Sequence, residues 1–169
     1  VFLTADPETF APPHQEKFLE RRVRLAEMLD APDLKAQSLS ALERLGSAAG
    51  HYLEALRLSS FLRRSDENPS SDNLRAALTY LDSHRAAVAT DIRCLELELD
   101  IWWLASTGRR LMAGERITLP FGPDAWRHCS ELIDSLEATG QSQRPAILVY
   151  LRGISQFHLG RYAQAFQTF

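Results

Sequence analysis

Leucine and alanine dominate this sequence, and that bias restricts the fold more than any other feature. The 169 residues include 26 Leu and 21 Ala, but only 4 Val and 6 Ile. Leucine and alanine favour helices, whereas β-branched residues favour strands. Hydrophobic residues make up 45% of the chain, which is enough to fill a core. We therefore predict an all-α fold.

The charge balance and the cysteine count argue against several classes of protein. The formal net charge is −3, with 19 basic and 22 acidic residues, so the basic excess typical of nucleic-acid binding is missing. No apolar run approaches the roughly 18 residues of a membrane helix. Cys94 and Cys129 cannot form a disulfide framework, and no signal peptide is recognisable. We expect a cytoplasmic protein with no membrane partner.

Apolar spacing and turn residues divide the chain into about eight predicted helices after an irregular lead-in at 1–12. Proline, glycine and serine mark loops at 65–72 and 108–122. The predicted helices cover about 13–29, 34–45, 51–64, the stretch from an N-cap at Asp72 to Leu81, 86–106, Pro123 to Gly140, 143–158, and the residues from Arg161 onward.

One segment also fits a strand. Residues 94–101 alternate apolar and charged side chains, which is the pattern of a half-buried strand, and 115–121 could form a second one. Leucine and glutamate are nevertheless good helix formers, and Ile92, Leu95 and Leu99 recur at helical spacing. We favour the helix.

Residues 150–169 carry a particular order of small and aromatic residues, in two segments separated by a glycine. The residues in that order are Gly153, Phe157, Gly160, Tyr162, Ala165 and Phe169. This order resembles a tetratricopeptide repeat (TPR), which pairs two antiparallel helices in about 34 residues. The resemblance implies that Gly153 lets the two helices approach closely and that Gly160 forms the turn between them.

An earlier segment repeats part of this order with Gly50, Tyr52 and Ala55. The match is incomplete, because the preceding helix has Glu43 where the family has a small residue. The resemblance implies antiparallel helix pairs stacked as a TPR-like α-solenoid over 13–169, within a longer multidomain protein. Stacked units of this kind bury a shared core and leave a curved binding surface.

The family resemblance also implies a function. We expect a non-catalytic scaffold that binds a protein or peptide, or another domain of the parent chain, without a cofactor. The positions expected to contact a partner are Ile147, Tyr150, Leu151, Ile154, Phe157 and His158, together with the adjacent Trp102 and Trp103. Most of these are apolar, so the family's carboxylate-clamp subtype is not expected. A last repeat cut at Phe169 would expose apolar surface, so we also expect the chain to associate with itself or to need its next helix.

The first alternative is a helical-bundle enzyme or ligand-binding domain. Glu96 and Asp100 lie at i,i+4 spacing, so they share a helix face and suit acid–base chemistry together with His128 or His158. In a scaffold, these carboxylates should face solvent and lie far from every histidine, whereas in an enzyme they should meet a histidine in a closed pocket and have perturbed pKa values. The sequence contains no P-loop, no nucleophile elbow and no zinc-protease motif. His128 and Cys129 point apart on a helix, so we expect no metal site.

The second alternative is nucleic-acid binding through arginine, which makes up 17 of the 19 basic residues. Arginines cluster at Arg21, Arg22 and Arg24, at Arg63 and Arg64, and at Arg109 and Arg110. Guanidinium groups bind phosphate well. Acidic residues are interspersed among these clusters, and arginines at helix C-termini also offset the helix dipole. We therefore do not expect nucleic acid as the partner.

Overall fold

A computed structural model describes residues 5–59, 70–107, 123–140, 142 and 144–169. Across these residues the chain is all-helical and has no strand, which confirms the predicted fold class. A 3₁₀ turn at Pro7–Thr9 precedes nine α-helices: α1 (Pro12–Met28), α2 (Pro32–Arg44), α3 (Ala49–Leu58), α4 (Ser71–Ser83), α5 (Arg85–Val88), α6 (Ile92–Thr107), α7 (Pro123–Thr139), α8 (Pro145–His158) and α9 (Tyr162–Thr168). The predicted loop at 108–122 and most of the loop at 65–72 lie outside the described residues.

Most helices begin at start signals in the sequence. Proline opens α1, α2, α7 and α8, where its missing N–H breaks no helical hydrogen bond. At α4 the N-cap is Ser70, whose Oγ accepts a hydrogen bond from the Asn73 N–H at 3.2 Å. The prediction of Asp72 as this cap was wrong: Asp72 lies in the first turn, where its charge favours the positive end of the helix dipole.

The predicted long helix at 86–106 is two helices, α5 and α6. Asp91 separates them, because its Oδ1 accepts the Cys94 N–H at 3.1 Å and so caps the start of α6. The helical interpretation of 94–101 is correct. Its strand-like alternation arises because α6 is buried on two sides: Leu97 and Ile101 belong to one core cluster, and Leu95 and Leu99 to another.

The same turn ends α1, α2 and α8. Asp30, Gly46 and Gly160 have φ values of 51°, 67° and 75°, and each follows a leucine. After α1 the Ala31 N–H donates to the Ala26 carbonyl at 2.8 Å, and the equivalent bond after α8 is also 2.8 Å. This backbone geometry is the Schellman motif, in which a left-handed residue closes the helix end. Gly160 therefore forms the turn, as expected.

Gly50, which the sequence matches to Gly160, does not lie in a turn between helices as Gly160 does. Gly50 is buried inside α3, where an added Cβ would meet the Leu42 Cβ at 3.6 Å. Gly46, and not Gly50, has the positive φ of the turn before α3. The sequence match between Gly50 and Gly160 therefore does not correspond to a shared turn. Ala55 is fully buried, as Ala165 is buried in α9.

The helices pack as four pairs: α1 with α2, α3 with α4, α6 with α7, and α8 with α9. Each pair is antiparallel, because one end of the first helix meets the opposite end of the second. The contacts that show this are Glu27 with Lys35, His51 with Tyr80, Trp103 with Trp126, and Phe157 with Tyr162.

Side chains connect α6 to the first helices of the other three pairs. Arg93 on α6 forms ion pairs with Glu16 and Glu20 on α1, and its guanidinium lies 5.8 Å from the centre of the Tyr52 ring on α3. On α8, Arg144 binds Asp100 of α6 at 3.2 Å. Thus α6 is the central helix, and it joins the two halves of the described chain.

Candidate partner-binding surface

Helix α8 has one side in the core and another exposed to solvent. Leu148 and Leu151 are buried in the cluster that includes α6 and α7, with exposed fractions of 3% and 6%. The prediction that Leu151 contacts a partner was therefore wrong, because the side chain fills the core. Ile147, Tyr150 and Phe157 are about half exposed, at 46%, 54% and 53%.

Ile154 is half-buried and lies on the same side of α8 as the exposed residues. The spacing of Ile147, Tyr150, Ile154 and Phe157 is i, i+3, i+7 and i+10, which places them in one stripe along a helix. Trp103 of α6 extends this stripe, since its ring centre lies 6.5 Å from that of Tyr150. We call these five residues the aromatic surface.

Neighbouring rings hold the aromatic surface in place. Trp103 meets Trp126 of α7 edge to face, with 5.5 Å between ring centres. The His158 ring stacks on Trp126 at 4.0 Å with an interplanar angle of 7°, and Phe157 meets His158 at 90°. Aromatic pairs in these geometries are favourable beyond their area of burial. His158 is exposed, and its described contacts position Phe157.

The two adjacent tryptophans both pack on the core cluster of α6, α7 and α8. They reach the cluster at different points: Trp102 lies against His128, with 4.5 Å between ring centres, whereas Trp103 lies against Trp126. Trp103 adjoins the exposed stripe through Tyr150, and Trp102 adjoins His128.

Several polar side chains lie next to the aromatic surface, on α6 before Trp103 and at the start of α8. Arg144 contacts Glu96 at 3.5 Å and Asp100 at 3.2 Å, and the Ser142 hydroxyl donates to Glu96 at 3.1 Å. Partial burial raises the pKa of the Asp100 carboxyl, and Arg144 opposes that shift. Within the described part of the chain, the hydrogen bonds and ion pairs of both carboxylates involve no histidine.

The prediction that both carboxylates face solvent in a scaffold is not fully met, because the Glu96 and Asp100 side chains are 19% and 45% exposed. The two histidines named in the enzyme alternative have other described contacts. His128 lies near Glu131, with 3.3 Å between Nδ1 and the carboxylate, and His158 stacks on Trp126. Among the described residues, no group of three histidine, cysteine, aspartate or glutamate side chains is arranged to hold a metal ion.

The predicted arginine clusters are only partly described. Arg22 is buried and donates to Gln37 at 3.1 Å, whereas Arg21 and Arg24 are exposed. Arg63, Arg64, Arg109 and Arg110 lie outside the described residues. Four further arginines bind carboxylates on other helices: Arg85, Arg93, Arg144 and Arg152. These pairings stabilise contacts between helices.

Helix α9 completes the last pair and has an exposed side of its own. Its Ala165 is buried, but Tyr162, Phe166 and Phe169 are 63%, 86% and 67% exposed. The Phe169 ring lies so close to Gly153 that an added Cβ would come within 2.5 Å of it. We call Tyr162, Phe166 and Phe169 the α9 face.

Two polar clusters were missed in the sequence, one an ion pair and one a group of neighbouring rings. Arg85 binds the buried Glu98 through two hydrogen bonds of 2.7 and 2.9 Å, and it thereby joins α5 to α6. His51, Tyr80 and His84 form the second cluster, in which His51 Nδ1 lies 2.9 Å from the Tyr80 hydroxyl. The i,i+3 and i,i+4 spacings within single helices cannot reveal contacts between residues on different helices.

Comparisons with known proteins give no match, so any functional assignment rests on the structure. No protein-family model matches the chain, and searches of curated proteins and of solved structures find no match. Each helix in the described ranges is too short or too polar to cross a bilayer.

Proposed function

We propose that this chain is a TPR-like stack of helix pairs that binds a protein or peptide partner over the aromatic surface, without chemistry of its own. The binding residues are Trp103, Ile147, Tyr150, Ile154 and Phe157. The observation that carries the proposal is the exposed apolar stripe on α8, because large apolar side chains grouped on a surface mark interaction sites.

The packing of the helices supports a repeat architecture. Four antiparallel pairs follow one another, and α8 packs on α7 of the preceding pair as well as on its own partner α9. Side chains of α6 also reach α1, α3 and the start of α8. Sequential packing of neighbouring helix pairs is what a TPR-like solenoid would require, and it supports the proposal.

The chemistry of the aromatic surface suits recognition of a partner. Tyrosine and tryptophan are enriched among residues that dominate binding energy, since their rings bury a large area with few rotatable bonds. Tyr150 lies between Trp103 and Phe169, and Phe157 lies between His158 and Tyr162. These neighbours restrict the rings before binding, which reduces the entropy lost when a partner binds.

The proposal can be tested with peptides selected from a random displayed library against the purified chain. Binding is measured by the fluorescence anisotropy of a dye attached to the selected peptide. We expect Tyr150→Ala and Phe157→Ala each to weaken binding at least about tenfold, as central aromatic contacts do.

The matched control is Met28→Ala, because Met28 is 64% exposed but lies on α1, away from the aromatic surface. This variant should bind the selected peptides like the original chain. Peptides that bind Tyr150→Ala and Phe157→Ala as tightly as the original chain would show that another surface binds the partner.

A further inference from the structure

Arg22 of α1 is a buried cation whose charge no described carboxylate balances. It is only 7% exposed. Its Nη2 group donates to Oε1 of Gln37 on α2 at 3.1 Å, whereas its Nε–H is buried without a hydrogen-bond partner. A buried charge without a counterion is costly, and a buried donor without an acceptor is rare in folded proteins. The guanidinium of Arg22 is therefore suited to a partner that comes from outside the chain.

The other arginines that connect helices show how unusual this is. Arg85, Arg93, Arg144 and Arg152 each form an ion pair with a carboxylate, although their side chains are between 23% and 40% exposed. Arg22 is more deeply buried than any of these four and has only the neutral amide of Gln37 as a described partner. An arginine buried only to bridge α1 and α2 should have acquired a carboxylate partner as well.

A cavity of about 310 Å³ lies against Arg22, between α1, α2 and the 3₁₀ turn at Pro7–Thr9. This volume is at the lower end of the range for small-molecule sites. The apolar part of its lining includes Leu19, Ala41 and Leu45. Ligand sites commonly combine apolar walls with a few polar groups that fix the orientation of the ligand. The cavity therefore suits a small molecule with an apolar body and a group that pairs with the guanidinium.

The remaining charges of the cavity favour a ligand with a single negative charge. Arg44 adds a second cation to the lining, but Asp6 and Glu8 line the same cavity. These two carboxylates repel an anion, and they repel a phosphate monoester with nearly two charges more than a carboxylate with one. A guanidinium also matches a carboxylate in shape, because two of its N–H groups can donate in parallel to the two oxygens.

We propose that this cavity binds a small organic carboxylate, whose oxygens accept hydrogen bonds from the Nε–H and an Nη group of Arg22. The cavity belongs to α1, α2 and the lead-in turn, whereas the aromatic surface belongs to α6 and α8. The two sites share no residue. Binding of the carboxylate is therefore a second function, separate from binding of a protein or peptide.

The test is a titration of the full chain with sodium benzoate, followed by the nuclear magnetic resonance signals of the arginine Nε–H groups. Benzoate is the probe because it joins one carboxylate to a compact apolar ring. We expect the Arg22 signal to shift until it saturates. Benzamide, which has the ring without the charge, and phenyl phosphate should each bind at least about tenfold more weakly at the same ionic strength.

Arg22→Gln removes the charge and should weaken benzoate binding at least about tenfold, while the library-selected peptides still bind as they do to the original chain. Arg24→Gln is the matched control, because it makes the same change at an exposed arginine of α1 that does not line this cavity. Ala41→Leu narrows the cavity and leaves Arg22 in place, so it provides a second variant that should lose benzoate. Circular dichroism checks the fold of each variant.

Three results would overturn the proposal. The first is a benzoate titration of the original chain that leaves the Arg22 Nε–H signal unchanged, which needs no variant to fold. The second is equal benzoate affinity in Arg22→Gln and the original chain. The third is tighter binding of phenyl phosphate than of benzoate, which would assign the cavity to phosphate esters. Loss of peptide binding in Tyr150→Ala tests the aromatic surface alone and leaves the benzoate result unaffected.

Discussion

Helices α1 and α9 differ in how much of each is buried and in what each exposes. Leu19 and Val23 of α1 are 0% and 1% exposed, and its solvent-facing residues include Arg21 and Arg24. Helix α9 buries Ala165 alone and exposes three aromatic rings. Helix α1 is therefore anchored in the core through several side chains, whereas α9 leaves most of its apolar surface exposed.

The comparison also shows what stabilises each helix. Burial of Phe18, Leu19 and Val23 with Leu42 and Leu53 makes α1 part of a core cluster. Helix α9 is held mainly by its contact with α8. Segments with few buried apolar contacts open at a lower free energy than the rest of a protein. We therefore expect α9 to exchange its amide hydrogens faster than α1 in the monomer.

The largest expected effect is the difference in stability between a shortened side chain in α1 and a shortened side chain in α9. Leu19→Ala removes a fully buried side chain and should lower the free energy of unfolding by about 3 kcal/mol. Phe166→Ala should change it by less than about 0.5 kcal/mol, because the ring is exposed. Urea unfolding at a concentration where the chain is monomeric measures both values. Equal losses in the two variants would show that α9 is as much a core element as α1.

The second effect concerns the buried pair of Glu98 and Arg85, whose side chains are 4% and 40% exposed. Arg85→Ala leaves the Glu98 carboxylate without its charged partner, and we expect a loss of about 2 kcal/mol in the free energy of unfolding. The double variant Arg85→Met with Glu98→Leu removes both charges and should recover most of that loss. If the double variant is less stable than Arg85→Ala, the cost lies in packing and not in the unpaired charge.

A smaller effect is expected at the turns that follow α1 and α8. Asp30 has a left-handed backbone with φ of 51°, so Asp30→Gly should stabilise the chain by up to about 1 kcal/mol. Gly160→Asp makes the reverse change and should destabilise it by a similar amount. Thermal unfolding of the two variants gives the two signs. The same sign for both would mean that the two turns do not share one backbone requirement.

The smallest effect is a pH dependence in the cluster of His51, Tyr80 and His84. Partial burial lowers the pKa of His51, the neighbouring His84 lowers it further, and Glu43 opposes the shift. Because the folded pKa lies below the unfolded value near 6.5, stability is complete above pH 6.5 and declines as the pH falls through the folded pKa. The other groups facing the cluster are Glu54 and Cys94, through Tyr80.

His51→Gln removes this titration, so the difference in stability between pH 7.5 and pH 5.5 should be smaller than in the original chain. Urea midpoints at the two pH values measure it. An unchanged difference would assign the acid sensitivity to other groups.

The sequence predicts the helical class and most helix starts, because composition and start signals are local. Proline at the start of α8 and glycine at its end are read directly from the residues. The division of 86–106 at Asp91 was missed, since an aspartate inside an apolar pattern gives no sign of whether its side chain caps a helix. The exposed stripe on α8 was largely predicted from the family resemblance, with the exception of Leu151.

Contacts between distant residues were beyond local reasoning. Arg93 lies 77 residues from Glu16 in the chain, and Arg144 lies 44 residues from Asp100. Long ionic side chains form pairs wherever packing brings two helices together, so the spacing within one helix does not identify their partners. For the same reason, the sequence did not reveal that Trp103 and Tyr150 form one surface.

Amide hydrogen exchange with and without a library-selected peptide tests most directly whether the aromatic surface binds a partner. We expect added protection in α8 and in the last turns of α6, with α1 and α2 unchanged. The same peptide should give no added protection in the variant that combines Tyr150→Ala and Phe157→Ala. Protection confined to α1 and α2, or protection of α8 that persists in this variant, would contradict the proposed binding surface.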